Sequence, residues 1–179
     1  MASFTLSTFL GVAVLSSMAL ASHGAGIELF QGSCPDGWFY HNCRCFRHFS
    51  DKKYWIDAEL NCMDLGGNLA SVHSEDEHQF LRQLHTSSVH SEDDPYWIGL
   101  SDLYKKYAWL WTDGSTRSDF SRWNPREPNN VGNAEHCVDS NDGGSKGWND
   151  ISCTRTYAFI CAKRLNDQCG LQYQAQPAP

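Results

Sequence analysis

Bulky and polar residues alternate from Cys34 to Phe49, and the stretch opens on the turn-forming run Cys34-Pro-Asp-Gly-Trp38, which together predict an early β-hairpin. The period then lengthens. Trp55, Ala58, Cys62 and Leu65 fall on one face of a predicted helix, with Ser50 as its N-cap and Gly66-Gly67 as its stop. Ser74-Glu-Asp-Glu77 has the form of a capping box and predicts a second helix through Phe80, Leu81 and Leu84, fraying by His85. Thr86 to Pro95 is polar and acidic, the signature of a surface loop. Tyr96 to Leu100 and Ala108 to Trp111 are short aromatic and β-branched runs that read as strands, the second ending in the turn Thr112-Asp-Gly-Ser115. The segment after Ser115 carries Pro125, Pro128 and several Asn and Gly without any period, so it reads as one long loop. His136 to Asp139 and Tyr157 to Cys161 close the pattern as two further strands, and Lys163 to Pro179 is a polar tail.

Composition narrows what such a chain does. With 179 residues, 41% of them hydrophobic, it is long enough for one domain with a real core and short for two. The apolar N-terminus ends in Ala19-Leu20-Ala21, the small-x-small pattern of a cleavage site, so residues 1–21 are expected to be a signal peptide and 22–33 a short leader. No later stretch has the length and apolarity of a membrane span, so no membrane insertion is expected. All eight cysteines (Cys34, Cys43, Cys45, Cys62, Cys137, Cys153, Cys161, Cys169) follow the cleavage point, and an even number in a secreted, extracellular chain favours disulfides. A net charge of -7 disfavours nucleic acid, whose phosphates need clustered Lys and Arg. No metalloprotease, nucleophile-elbow or phosphate-loop motif is present, so no enzyme is expected. His73, His78, His85 and His90 do not share one helical face and are expected to be exposed rather than to form a zinc site. Trp38, Trp97 and Trp111 sit in core-like runs, and Trp148 is expected to support the loop beside it.

Four groups of residues, taken in order, resemble the C-type lectin-like domain family. They are Cys34-Pro-Asp-Gly-Trp38 with Cys45, and Ala58-Glu-Leu-Asn-Cys62 leading to Gly66-Gly-Asn-Leu-Ala70. Trp97-Ile-Gly-Leu100 follows, and then Glu127-Pro-Asn129 with Glu135, Cys137, Trp148-Asn-Asp150, Cys153 and Cys161. The resemblance spans residues 34–163, leaving 164–179 as a C-terminal tail. It implies an α+β fold in which two helices flank small antiparallel sheets and a long calcium-binding loop, the whole stapled by disulfides. It also implies the pairs Cys34-Cys45, Cys62-Cys161 and Cys137-Cys153. Cys43 and Cys169 remain, either paired within the chain or joining two chains in a homodimer.

In that family the residues matching Glu127, Asn129, Glu135, Asn149 and Asp150 hold one calcium ion and two vicinal sugar hydroxyls. The chemistry suits the residues, because calcium takes six to eight hard oxygens and three of these five side chains are carboxylates. Each sugar hydroxyl can donate to a carboxylate and accept from an asparagine amide. Pro128 is expected in cis, as in the family. An auxiliary calcium site common in the family is expected to be weak or absent, since its acidic positions are here Asn130 and His136, with Asp102 a remnant. The E-P-N order resembles that of mannose-type binders, with galactose the other specificity. The Gly-rich run Asp139-Ser-Asn-Asp-Gly-Gly-Ser-Lys-Gly147 lengthens the approach to Trp148 and can alter how a sugar enters. Type II antifreeze proteins of fish share the same resemblance, so ice binding stands as the alternative to a secreted carbohydrate-binding lectin of innate immunity.

Overall fold

The computed structural model describes residues 29–89, 93–116 and 120–165. The expected signal peptide, most of the leader, Cys169 and nearly all of the tail lie outside the described residues. The elements are β1 (Phe39–His41), β2 (Arg44–Lys53), α1 (Trp55–Asp64), β3 (Asn68–Leu69), α2 (Glu75–Thr86), β4 (Tyr96–Ser101), β5 (Leu110–Trp111), β6 (Cys137–Asp142), β7 (Gly147–Ile151) and β8 (Tyr157–Arg164). A short 3-10 turn covers Val131–Asn133.

The strands form one sheet in the order β1-β2-β8-β4-β6-β7, with β3 added to β8 and β5 to β4. Small antiparallel sheets were expected; the β4 and β8 pairing is parallel and joins them into one mixed sheet. Both faces of this sheet are covered. Tyr96, Ile98 and Leu100 of β4 join Phe46, Phe80, Leu81, Leu84 and Trp148 on one side. Trp97 faces the other side, with Trp55, Cys62, Leu69, Phe159 and Cys161. Every residue of β4 is therefore buried, which is why it reads as a continuous apolar run.

Two helix predictions need correction at their ends. Ser50 does not cap α1, because β2 continues through it to Lys53, paired with Tyr157 of β8. The ladder takes the residues that local capping would have used, and α1 begins after Tyr54 with no side-chain cap. Its other end is as expected. Gly66 at φ +79 adopts a left-handed conformation, and the N–H groups of Gly66 and Gly67 reach back to the carbonyls of Met63 and Cys62 at 2.9 and 3.0 Å. In α2, Ser74 Oγ accepts from the Glu77 N–H at 3.1 Å, while Glu77 Oε2 accepts from the His73 N–H at 2.7 Å. This helix runs one residue beyond His85.

The expectation that the histidines are exposed fails at His78 and His85, which are 1% and 0% exposed. Their spacing of seven residues puts both on the core face of α2 beside Leu81 and Leu84. His73 is half-buried, and His90 lies outside the described residues. His85 Nδ1 meets His48 Nε2 of β2 at 3.0 Å, and its ring stacks obliquely on Tyr96. Burial lowers the pKa of His48 to about 4, helped by His85, and burial likewise lowers His78 to about 4. A histidine whose pKa is depressed on folding favours the native state fully only above its unfolded pKa. That stability is lost as pH falls from about 6.5 toward about 4. Thermal melts followed between pH 7.5 and 4 are therefore expected to show a falling midpoint across this window, and His78→Gln is expected to flatten part of the fall. An unchanged slope in that variant would assign the acid sensitivity elsewhere.

Three disulfides join Cys34 to Cys45, Cys62 to Cys161 and Cys137 to Cys153. Cys43 is disulfide-bonded as well. No helix among the described residues is long and apolar enough to cross a membrane.

Candidate functional site

The long loop between β5 and β6 is pinned to β7 before it reaches the residues of interest. Trp148 N–H donates to the Arg122 carbonyl at 2.8 Å and its own carbonyl accepts from the Asn124 N–H at 2.9 Å. Asn124 Oδ1 then accepts from the Gly147 N–H at 2.9 Å, and its amide donates to the Asp142 carbonyl at 3.1 Å. Gly147 is required by this approach, since a Cβ there would lie 2.4 Å from the Arg122 carbonyl oxygen. Beneath the junction, Trp148 is 1% exposed and packs edge-on against Trp111, Phe120 and Trp123. Trp148 supports the loop from within the core.

Trp148-Asn-Asp150 lies in a strand that the Gly-rich run had concealed. Positive φ values at Asn141, Gly143 and Lys146 turn the chain so that β6 and β7 form a hairpin. Its ladder places Asn149 opposite Asp139 and Asp150 opposite Val138.

Asp150 is fully buried and organises the loop. Its Oδ1 accepts from the Asn129 N–H and its Oδ2 from the Asn130 N–H, both at 2.8 Å. The Glu127–Pro128 peptide is cis. Beyond it, Asn129 Nδ2 donates to Glu127 Oε1 at 2.8 Å. The Val131 N–H is shared by Asn129 Oδ1 at 3.0 Å and Glu135 Oε2 at 2.7 Å. Four of the five residues singled out, Glu127, Asn129, Glu135 and Asp150, thus belong to one connected network. Asn149 stands apart from that network. Its amide lies beside the Asp139 carboxylate, near enough to lower that group's pKa but outside hydrogen-bonding geometry.

The electrostatics of the network are those of crowded carboxylates. Desolvation pushes Glu127 up to about 7, with Asp150 and then Glu135 adding to the rise. Glu135 is raised too, by desolvation and by Asp150. Glu127 Oε2 is buried with no hydrogen-bond partner. Asp139, 1% exposed, is pushed to about 8 by burial and then by Asp142. Both of its carboxylate oxygens also lack hydrogen-bond partners. A hard cation answers an unpaired carboxylate oxygen and mutual repulsion together, so the donor set fits one. Among the described residues, no three His, Cys, Asp or Glu side chains are gathered as a ligand set by themselves. The acids here are interleaved with asparagine amides, which supply neutral oxygens.

The remnant of the auxiliary site is otherwise engaged. Asp102, its side chain fully buried, accepts from the Tyr107 N–H at 2.7 Å and pairs with His136 Nδ1 at 2.8 Å. Asp139 and Asn124 were missed in the sequence because an acid in a short strand and an asparagine in a loop both look like ordinary surface. Only the hairpin and the parallel contact of Trp123 with Trp148 reveal their places.

Residues 51–163 match the family described as the Lectin C-type domain. This chain is a member of the C-type lectin family. The family model is that of a lectin domain, a class of non-enzymatic carbohydrate binders, and the relatives include several lectins. Lactose-binding lectin l-2 of Anguilla japonica is 56% identical over 168 residues, covering 92% of this chain and 99% of the relative. Herring type II antifreeze protein superposes with a TM-score of 0.68 at 36% identity, covering 74% of this chain and 100% of that one. The carbohydrate-recognition domain of cow CD23, solved in the presence of a GlcNAc2Man3 oligosaccharide, superposes with a TM-score of 0.65 at 31% identity. That likeness covers 75% of this lectin and 98% of the cow domain.

Proposed function

We propose that this lectin is a secreted, calcium-dependent carbohydrate-binding protein, its domain spanning residues 34–163 and its sugar site built from Glu127, Asn129, Glu135, Asn149 and Asp150. The observation that carries the reading is the double acceptance by Asp150 of the Asn129 and Asn130 N–H groups, which fixes the cis-proline turn over the crowded carboxylates. Calcium, when bound to these oxygens, supplies coordination positions for two vicinal sugar hydroxyls. The side chains do the rest. Glu127 and Glu135 accept the hydroxyl protons, and the amides of Asn129 and Asn149 donate to the hydroxyl oxygens. With Asn130 and His136 in place of the auxiliary site's acids, and its remnant Asp102 engaged by His136 and the Tyr107 N–H, one calcium ion per chain is proposed.

Two specificities have support. The E-P-N order favours hydroxyls arranged as in mannose, whereas the likeness to Lactose-binding lectin l-2, nearly full-length in both chains, favours a galactoside. We give the second more weight, because that likeness runs through 168 aligned residues whereas the motif is three residues long. The purified lectin is expected to bind lactose-agarose in calcium, to elute with EDTA, and to elute more readily with lactose than with mannose. The opposite sugar order restores mannose. Retention undiminished by EDTA removes calcium from the mechanism, and thermal hysteresis without sugar retention moves the function to ice binding.

A further inference from the structure

Asp139 is a buried acid outside the five residues of the proposed sugar site. It lies in β6 with Trp97 of β4 opposite it on one side and Asn149 of β7 on the other, so all three side chains leave the sheet on the same face. That face carries the apolar cluster of Trp97, Trp55 and Phe159. Asp142 joins it there, because the irregularity at Asn141, φ +71, brings Asp142 opposite Gly147, two residues before Asn149. Asp139 is 1% exposed, and no donor reaches either carboxylate oxygen. The charges that weigh most on it, Asp142 and then Glu127 and Glu135, are all acidic. A buried carboxylate without a partner costs stability, so folding alone does not account for it. Asn149 supplies the other half of the arrangement. Directly opposed residues have Cβ atoms about 4.5–5.5 Å apart, and the Asn149 amide lies beside the Asp139 carboxylate. Asn149 is partly exposed, so it spans from the buried acid to the open side of the hairpin.

We infer that Asp139 is a positioning residue for the sugar site, its carboxylate accepting one Nδ2–H of Asn149 and so fixing which way that amide points. The inference rests on the proposed calcium site. An asparagine side chain offers one acceptor oxygen and two amide hydrogens. With one hydrogen held by Asp139, Oδ1 is turned toward the cation and the second hydrogen is left for a sugar hydroxyl. An amide turned the other way would present its hydrogens to the cation instead. An ionised carboxylate can only accept, so it does not compete with the cation for Oδ1. Groups that orient a metal ligand from behind are worth about 10- to 100-fold in metal affinity, which accounts for an acid that burial disfavours.

The test is a calcium titration of the isotope-labelled lectin, followed by NMR at the Asn129 and Asn130 amides, together with thermal melts of the calcium-free protein. Asp139→Leu replaces the carboxylate by an apolar side chain of similar shape. Its calcium-free melting temperature is expected to equal or exceed that of the wild type, while its calcium affinity falls about 10- to 100-fold. Asp139→Asn keeps an acceptor oxygen without the charge and is expected to lose about fivefold, which carries the comparison should the leucine variant not fold. Asn149→Ala should lose affinity by itself, and adding either Asp139 change to it should cost less than about twofold more, because the acid acts through that amide. Calcium affinity unchanged in both Asp139 variants, or lost equally in the Asn149→Ala background, would overturn the positioning role while leaving the calcium site in place. A melting temperature that falls together with the affinity would make Asp139 a structural residue and overturn it as well. Wild-type protein that binds no calcium would overturn both the site and the role.

Discussion

Replacing Asp150 by Ala or by Asn should remove carbohydrate binding, with the Asn variant failing almost as completely as the Ala variant. Asp150 is fully buried and gives one oxygen to each of two successive backbone N–H groups, Asn129 and Asn130. Alanine leaves both donors without a partner, at about 1–3 kcal/mol for each buried group. Asparagine can accept from only one of them, and its NH2 then faces the other N–H, donor against donor. Either change frees the turn that presents Glu127 and Asn129, so affinity for the sugar that the wild-type lectin retains, measured by calorimetry in calcium, should fall about 10- to 100-fold. Glu127→Gln is the informative contrast. The Asn129 amide can still donate to a glutamine oxygen in place of Glu127 Oε1, so the turn should persist while one charge is lost. A graded decrease in affinity with little change in melting temperature is expected there. Wild-type affinity in Asp150→Asn would show that the loop is held by something other than this clamp.

The parts of this fold legible in the sequence are those written in local chemistry. Ser74 with Glu77, and Gly66 with Gly67, announce helix ends because the capping groups lie within a few residues of what they cap. Ser50 misleads for the opposite reason, since its segment is claimed by pairing with Tyr157 far along the chain. Long-range pairing also hides β7, because Gly147 must be glycine to admit the Arg122 carbonyl, and that glycine-rich approach erases the alternating pattern. The candidate site divides the same way. Glu127, Asn129, Glu135 and Asp150 follow from motif and resemblance, and the structure connects them through backbone N–H groups that no side-chain pattern encodes. Asp139 could not be foreseen as a buried acid, since its surroundings come from β4 and β7. His78 and His85 were misjudged because histidine is as much at home on a surface as in a core, and only the seven-residue repeat on α2 indicated burial.

Removing the disulfides one at a time should separate stability from binding. Cys62 and Cys161 are 99 residues apart, whereas Cys137 and Cys153 are separated by 16 and Cys34 and Cys45 by 11. On a chain-entropy account the longest loop contributes about 4.7 kcal/mol and a loop near fifteen residues about 3 kcal/mol. The double alanine variant at Cys62 and Cys161 also opens a cavity, because both residues are 0% exposed between α1 and β8. It should therefore show the largest fall in melting temperature of the three and can fail to fold at physiological temperature. The Cys137 and Cys153 pair should cost less stability but more function. That crosslink closes the β6–β7 hairpin, within which Asp139, Asn149 and Asp150 must keep register for Asp150 to meet the loop. Loss of the Cys34 and Cys45 link, at the far edge of the sheet beyond β8 and β4, should lower the melting temperature while leaving sugar binding intact. If binding tracked stability equally across all three variants, the hairpin crosslink would have no special part in the site. A selective loss of binding on removing Cys137 and Cys153 would instead show that this crosslink holds the register on which the Asp150 clamp depends.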